Sequence, residues 1–276
     1  MISQKKLVFS TTVALVAAGG IQVAAACSLA NWSDMAGTVI ASQPDGNGST
    51  GAPTAVARYD GLCGFQADGA GSLVQDNRPN GISRIVARFY VKANGNAGEI
   101  YRGFGDEVGG TPRFVVSVDA SNNYTLTDSA TGQFVSQAGT GGWDSVEIDW
   151  TGDAGAGSAK LTVNGDPDVD GIEVSNLTNP GTLDSVRLGV LTGSGLKQFD
   201  AYESRRSTSV KRLCNCNANG SADNVVNIQD VIVSVNEVSG TGLTTGTPDC
   251  NEDGAVAIQD IITAVNIISN TGLCVF

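Results

Sequence analysis

The sequence predicts a mainly β protein: a two-sheet antiparallel sandwich followed by a small all-α domain. Three observations carry that prediction. From about Asn80 to Ser204, short segments of alternating apolar and polar residues are broken by Gly, Asn and Asp, the pattern of strands joined by tight turns. No stretch within that span keeps a helical period. After Arg212 the pattern changes to two runs with apolar residues at helical spacing, and the second run repeats the first.

The chain opens with the features of an export signal over residues 1–26. Lys5 and Lys6 precede the apolar stretch LVFSTTVALVAAGG, and VAAAC follows with small residues at Ala24 and Ala26. The mature chain is expected to begin near Cys27 and to be secreted, extracellular or held at the cell surface. A membrane anchor competes with this reading, but Gly19 and Gly20 interrupt the stretch and no later segment is long and apolar enough to span a bilayer. Lipid attachment at Cys27 is a further alternative, although the Leu or Val usual three residues ahead is missing.

The 276 residues carry a net charge of −12 and no histidine. Binding to a nucleic-acid backbone, which relies on Lys and Arg against phosphates, is therefore disfavoured. Without histidine there is no Ser-His-Asp or Cys-His relay and no His-ligated metal, so any catalysis would fall to carboxylates, Tyr or Lys. Six cysteines in an exported chain favour disulfides. Cys27 and Cys63 lie early, whereas Cys214, Cys216, Cys250 and Cys274 lie late, which suggests one bridge in the first domain and two in the second. A zinc site on the four late cysteines stays open, though their spacing matches no common zinc pattern.

Within the sandwich, assigned to residues 27–206, strands are expected at RIVARFYVK (Arg84 to Lys92), EIYRGF, RFVVSVD, YTLTD, DSVEIDWT, AKLTV, SVRLGV and FDAYES. Turns fall at SNN before Tyr124, ATG around Gly132 and NGD after Val163. Two sheets closing over one core bury the apolar faces of so many short strands. The span from Cys27 to Val74 is less regular and is expected to add an early strand and disulfide-tied loops. ESRRSTSVKR (Glu203 to Arg212) is polar and aperiodic, so residues 207–213 are assigned to a linker and 214–276 to the second domain.

That second domain contains the repeat. VVNIQDVIVSVNEVS (Val225 to Ser239) aligns with AVAIQDIITAVNIIS (Ala255 to Ser269) at a constant offset of 30 residues. Ile228, Val231, Ile232 and Val235 share a helical face, as do Ile258, Ile261, Ile262 and Val265, and the two stripes are expected to bury each other. Each helix follows an acidic loop, with no Lys or Arg after Arg212 to neutralise it.

Calcium-binding loops of the EF-hand type place oxygens at positions 1, 3, 5, 7 (a backbone carbonyl), 9 (often through water) and 12, with Gly at 6. The second repeat supplies Asp249, Asn251, Asp253, Gly254, the Ala255 carbonyl and Asp260 in that order, with Ala257 at position 9. The first, counted back from Asp230, supplies Asn219, Ser221, Asp223, Asn224 at the turn, the Val225 carbonyl and Asn227. Asn219 brings no charge to position 1, so weaker binding is expected there. A rival frame starts at Asn215 and uses Asn215, Asn217 and Asn219, with SADN as an insertion. Hard oxygen donors in this number suit calcium better than magnesium.

The duplicated loop-helix units, with Asp-x-Asn-x-Asp-Gly in the second and Asp at position 12 in both, resemble dockerin type I domains. The resemblance covers about Cys214 to Ser269. It implies two calcium sites in duplicated F-hand units and docking to a cohesin-like protein in assemblies that degrade polysaccharides. Where dockerins often carry Ser or Thr at positions 10 and 11, this chain has Ile228-Gln229 and Ile258-Gln259, which leaves the partner's identity open. The first domain, through WDSVEIDWTGDAGAGSAKLTVNGD (Trp143 to Asp166), resembles a laminin-G or concanavalin-A-like jelly roll, which implies a sandwich that binds carbohydrate or protein.

EIDW also resembles part of the strand motif of family-16 glycosidases, whose alternate carboxylates share one sheet face. Glu147 and Asp149 share such a face, but Thr151 and Gly152 stand where a third carboxylate belongs. Trp32, Trp143, Trp150, Tyr101 and Tyr124 are candidates for stacking on sugars, or for the core. The expected function is a non-catalytic binding and assembly protein, calcium-loaded at its tail. The alternatives are a glycoside hydrolase or polysaccharide lyase, and a calcium-stabilised structural protein.

Overall fold

A computed structural model of the chain describes residues 52–54 (backbone only), 59–61, 64–221, 225–242, 244–252 and 254–270. The segment read as an export signal, together with Cys27, Trp32, Cys63, Asp223, Asn224, Asp253 and Cys274, lies outside the described residues.

The described strands are β1 (Ala52–Thr54), β2 (Gly64–Gly69), β3 (Ser72–Asp76), β4 (Arg84–Lys92), β5 (Gly98–Phe104), β6 (Pro112–Val118), β7 (Asn123–Asp128), β8 (Phe134–Ala138), β9 (Asp144–Thr151), β10 (Gly157–Val163), β11 (Ile172–Leu177), β12 (Ser185–Val190) and β13 (Ser194–Arg205). Two helices follow, α1 (Ile228–Val238) and α2 (Ile258–Asn270). The strands form two antiparallel sheets, one ordered β1-β2-β13-β4-β9-β10-β11 and the other β3-β12-β5-β6-β7-β8. The two-sheet sandwich expected from the sequence is therefore present.

Alternation builds the core. On β4, Ile85, Ala87, Phe89 and Val91 point inward, and on β9 Val146, Ile148 and Trp150 do the same. They meet Tyr101, Phe114, Val116 and Leu126 of the opposite sheet. Phe89 lies 5.3 Å from Tyr101 and Trp150 lies 5.7 Å from Phe114, centroid to centroid. The polar end of Trp150 is satisfied by Asp128 Oδ1 at 3.3 Å, as a buried indole N–H requires. The three turns read from the sequence contain left-handed residues, Asn122 (φ 63°), Gly132 (φ 71°) and Asn164 (φ 56°), which Asn and Gly adopt most readily.

Among β1, β2, β3, β8 and β11, the last two were not expected, and the first three fall in or beside the span from Cys27 to Val74, where a single early strand was expected. Four of them, β1, β3, β8 and β11, end a sheet. An edge strand pairs on one side only and tolerates polar residues on both faces, so its alternation is weak.

The segment read as a linker is fastened to the outer face of the seven-stranded sheet. Glu147 accepts hydrogen bonds from the backbone N–H of Val210 (3.1 Å) and Lys211 (2.7 Å). Leu213 N–H donates to the Tyr90 hydroxyl (3.0 Å), and Lys211 pairs with Asp168 (2.7 Å). Beyond this strap, Cys216 and Cys250 form a disulfide, and Cys214 is disulfide-bonded as well.

The expected burial of the two helical stripes against each other does not occur. Ile228, Ile232, Val235, Ile258, Ile262 and Val265 are between 44% and 60% exposed, and the buried helix residues are Asp230, Ser234, Asp260 and Ala264. The reason is rotational. Asp230 and Asp260 turn inward to close their loops, and at about 100° per residue this sends the positions two before, two after and five after each Asp to the opposite side. Only Val231, Ile267 and Ile268 join the tail's small core around Cys214, Cys216, Val226, Cys250 and Ala264.

Candidate functional site

The two loop-closing aspartates are the centre of the site. Each is fully buried, and each binds two backbone N–H groups. Asp260 accepts from Asn251 (3.2 Å) and Ala257 (2.7 Å). Asp230 accepts from Asn219 (3.1 Å) and Asn227 (2.8 Å). Asn227 also caps α1, accepting from Gln229 N–H (2.8 Å), so that Asn227 and Asp230 form a capping box.

In the second loop Asp249 is buried, and its Oδ2 accepts from Gly254 N–H (2.7 Å). Gly254 has φ 90°, a conformation that suits glycine at the turn position. A side chain at 254 would collide with the ammonium of Lys92, which lies against the loop from the sandwich side. A positive charge thus does reach the second loop, from β4 and not from the tail. In the first loop, Asn219 Oδ1 accepts from Ser221 N–H (2.8 Å). Asp223 and Asp253, two of the expected ligands, fall outside the described residues. Among the described residues, no group of three or more Cys, Asp or Glu side chains is placed to hold a metal.

The second loop is also an attachment point. The Glu252 carboxylate accepts from Arg212 Nη2 (2.5 Å) and Asn215 Nδ2 (3.1 Å) and meets the Tyr59 hydroxyl (3.0 Å). Its backbone carbonyl accepts from Trp143 N–H (3.0 Å). Tyr59 stacks on Tyr90 at 3.8 Å beside Trp143, and all three rings are buried. Burial raises the Tyr59 hydroxyl well above its ordinary pKa, so it remains a neutral donor here.

On the sandwich, a cleft of about 420 Å³ opens over β4 and β13, lined by Asp60, Arg78, Arg88, Tyr202, Glu203 and Ser204. Arg88 donates to the Ala201 carbonyl (2.7 Å) and pairs with Glu203 (3.4 Å). This polar cleft had no signature in the sequence, because Arg88 and Glu203 are far apart in the chain and become cross-strand neighbours only through the register of β4 and β13.

The carboxylates of EIDW have structural partners. Glu147 holds the strap, and Asp149 pairs with Arg84 (2.6 Å). Burial pushes the Glu147 carboxyl up, while the Lys211 and Val210 amides and Arg88 draw it down. The aromatic candidates for sugar stacking, Trp143, Trp150, Tyr101 and Tyr124, are all in the interior.

No protein-family model and no curated protein matches the chain. Solved structures similar to it include the binding domain of botulinum neurotoxin serotype D/C, at 13% identity over 54% of this chain and 41% of that one, with a TM-score of 0.39. Mouse laminin α1 domains LG4-5 match at 11% over 51% and 42%, TM-score 0.36. Trypanosoma rangeli sialidase matches at 11% over 53% and 26%, TM-score 0.33. The chain spans less than half the length of each. At that degree of likeness none of the three bears on what this chain binds.

Proposed function

We propose that this is an exported, non-catalytic binding and assembly protein whose tail holds calcium and docks a partner protein, while its laminin-G-like sandwich binds a polar ligand such as a polysaccharide. The observation that carries the reading is the pair of fully buried carboxylates, Asp230 and Asp260, held by matching backbone bonds at the closure of two repeated loops. A buried carboxylate is tolerated when it is hydrogen-bonded and paired with a cation or bound to a metal. Calcium would be held by Asp249, Asn251, Asp253, the Ala255 carbonyl and Asp260 in the second loop. In the first it would be held by Asp230 with oxygens from the loop that precedes α1. The ion supplies the positive charge that these oxygens share.

Fixing the loops fixes the helices, and the helices then present Ile228, Ile232 and Val235 beside Ile258, Ile262 and Val265 to solvent. Apolar faces of this kind on a soluble domain mark a protein-binding surface, and a cohesin-like partner is the occupant that fits the dockerin resemblance. For the sandwich, the cleft over β4 and β13 offers guanidinium, carboxylate and hydroxyl groups to a hydroxyl-rich ligand. The hydrolase reading has less support, because Glu147 and Asp149 serve the strap and an ion pair.

Calorimetry of the full chain with calcium chloride, followed by melting before and after EDTA, tests the tail. Two binding heats and a lower melting temperature after chelation are expected. No heat and an unchanged melt would end the calcium reading. Retention on a glycan array without release of reducing sugar is expected of the sandwich, and sugar release would establish an enzyme instead.

A further inference from the structure

We propose that the first loop binds its cation in a frame beginning at Asn217, with Asn217 Oδ1 as a ligand. This rests on the calcium reading above and differs from both frames that the sequence suggested, one starting at Asn219 and one at Asn215.

The loop-closing bonds give the alignment. Asp260 takes N–H groups from Asn251 and Ala257, and Asp230 takes them from Asn219 and Asn227. Equivalent bonds set Asn219 opposite Asn251 and Asn227 opposite Ala257. The backbone agrees, since the next residue in each loop is left-handed, Gly220 at φ 66° and Glu252 at φ 59°. Asn217 therefore stands opposite Asp249, the first ligand of the second loop. Two extra residues then fall between Ser221 and Val225, and Asp223 drops out of the ligand set.

The side chains point the same way independently. Asn217 is 8% exposed, its Nδ2 donates to the Ser221 carbonyl, and its Oδ1 is buried without a hydrogen-bond partner. Ser221 Oγ is likewise buried and unpartnered. Both residues line one cavity of about 190 Å³, together with Asp60, Gly220 and Thr247. A buried amide oxygen left unsatisfied is destabilising, and an oxygen-seeking cation removes that penalty. The cavity has room for an ion and several waters, each needing about 30 Å³. Asp230, which closes the loop but does not line this cavity, has accepted one N–H at each oxygen and retains further lone-pair capacity.

The frame is tested by calcium calorimetry on the full chain. Because Asn217 is neutral, the wild type is expected to show one tight and one weak site. Asn217→Asp should tighten the weak site about tenfold by adding a ligand charge, and Asn217→Ala should abolish it while leaving the tight site and the far-UV spectrum unchanged. Asp223→Asn should leave both heats in place. A weak site indifferent to Asn217→Asp, or lost in Asp223→Asn, would overturn the Asn217 frame while leaving the calcium reading intact. A single heat, abolished by Asp260→Asn, would do the same. Absence of any heat would remove both.

Discussion

At the residue scale, Asp200 shows how a polar side chain can be buried by an irregularity. The pairing of β13 with β4 shifts register between Asp200 and Glu203, and Ala201 adopts φ 49°. The Asp200 carboxylate consequently turns into the structure and accepts N–H groups from Tyr59 (2.6 Å), Asp60 (2.8 Å) and Ala201 (2.7 Å). Burial outweighs these bonds and pushes its pKa up to about 7. The folded state therefore binds a proton more tightly than the unfolded chain does. This group's contribution is fully present below pH about 4, the unfolded value, and is lost as pH rises through about 7. Relative to Asp200→Asn, which cannot ionise, the wild type should lose unfolding free energy as pH rises from 4 to 7, by at most about 1.4 kcal/mol per pH unit, as urea titrations of the two read it. A constant difference across that range would refute the assignment. Nothing in FDAYES announced this, because an Asp in a half-buried strand is expected to face water and a bulge leaves no compositional mark. Glu147 is the opposite case. Its outward face was legible from alternation, but the strap that covers it was not.

At the element scale, the two helices were legible in place, and their orientation was misread. Apolar periodicity says that a helix has an apolar face; it does not say that the face is covered. The information that sets the rotation was in the loop: an aspartate that closes a turn on backbone amides must point inward, and the stripe opposite it must point out. The edge strands failed for another reason, since one-sided pairing relaxes the alternation on which they would be recognised. The rotation makes a two-sided prediction. Ile232→Glu and Ile262→Glu, on the exposed face, should change stability by no more than about 0.5 kcal/mol while abolishing capture of the docking partner. Ala264→Leu, at a fully buried position, should cost about 1–3 kcal/mol by overpacking. Thermal melts of the three variants separate the cases. A large destabilisation by either glutamate would mean that the stripes are packed after all.

At the scale of the whole molecule, the tail and the sandwich share an interface, and that interface is made by the second acidic loop itself. Glu252 gathers Arg212, Asn215 and Tyr59 around its carboxylate, and its carbonyl takes the Trp143 N–H. Lys92 approaches Gly254 from β4. Between Asp249 and Asp260, then, the same short stretch contributes the expected calcium ligands and the anchor for a buried aromatic cluster. Ion occupancy should therefore be reported inside the sandwich. Ordering the loop orders Glu252, and Glu252 fixes the backbone at Trp143. EDTA should alter the near-UV dichroism and tryptophan emission of the full chain, and calcium should restore both. Trp150, in the core between the sheets, provides a signal that should not respond. Trp143→Phe should remove the response while the EDTA-induced fall in melting temperature persists. Glu252→Gln should weaken the response, because the ion pair to Arg212 loses its charge. If chelation lowers the melting temperature yet leaves Trp143 silent, the loop folds with its ion independently of the sandwich, and the bonds through Glu252 are mere proximity.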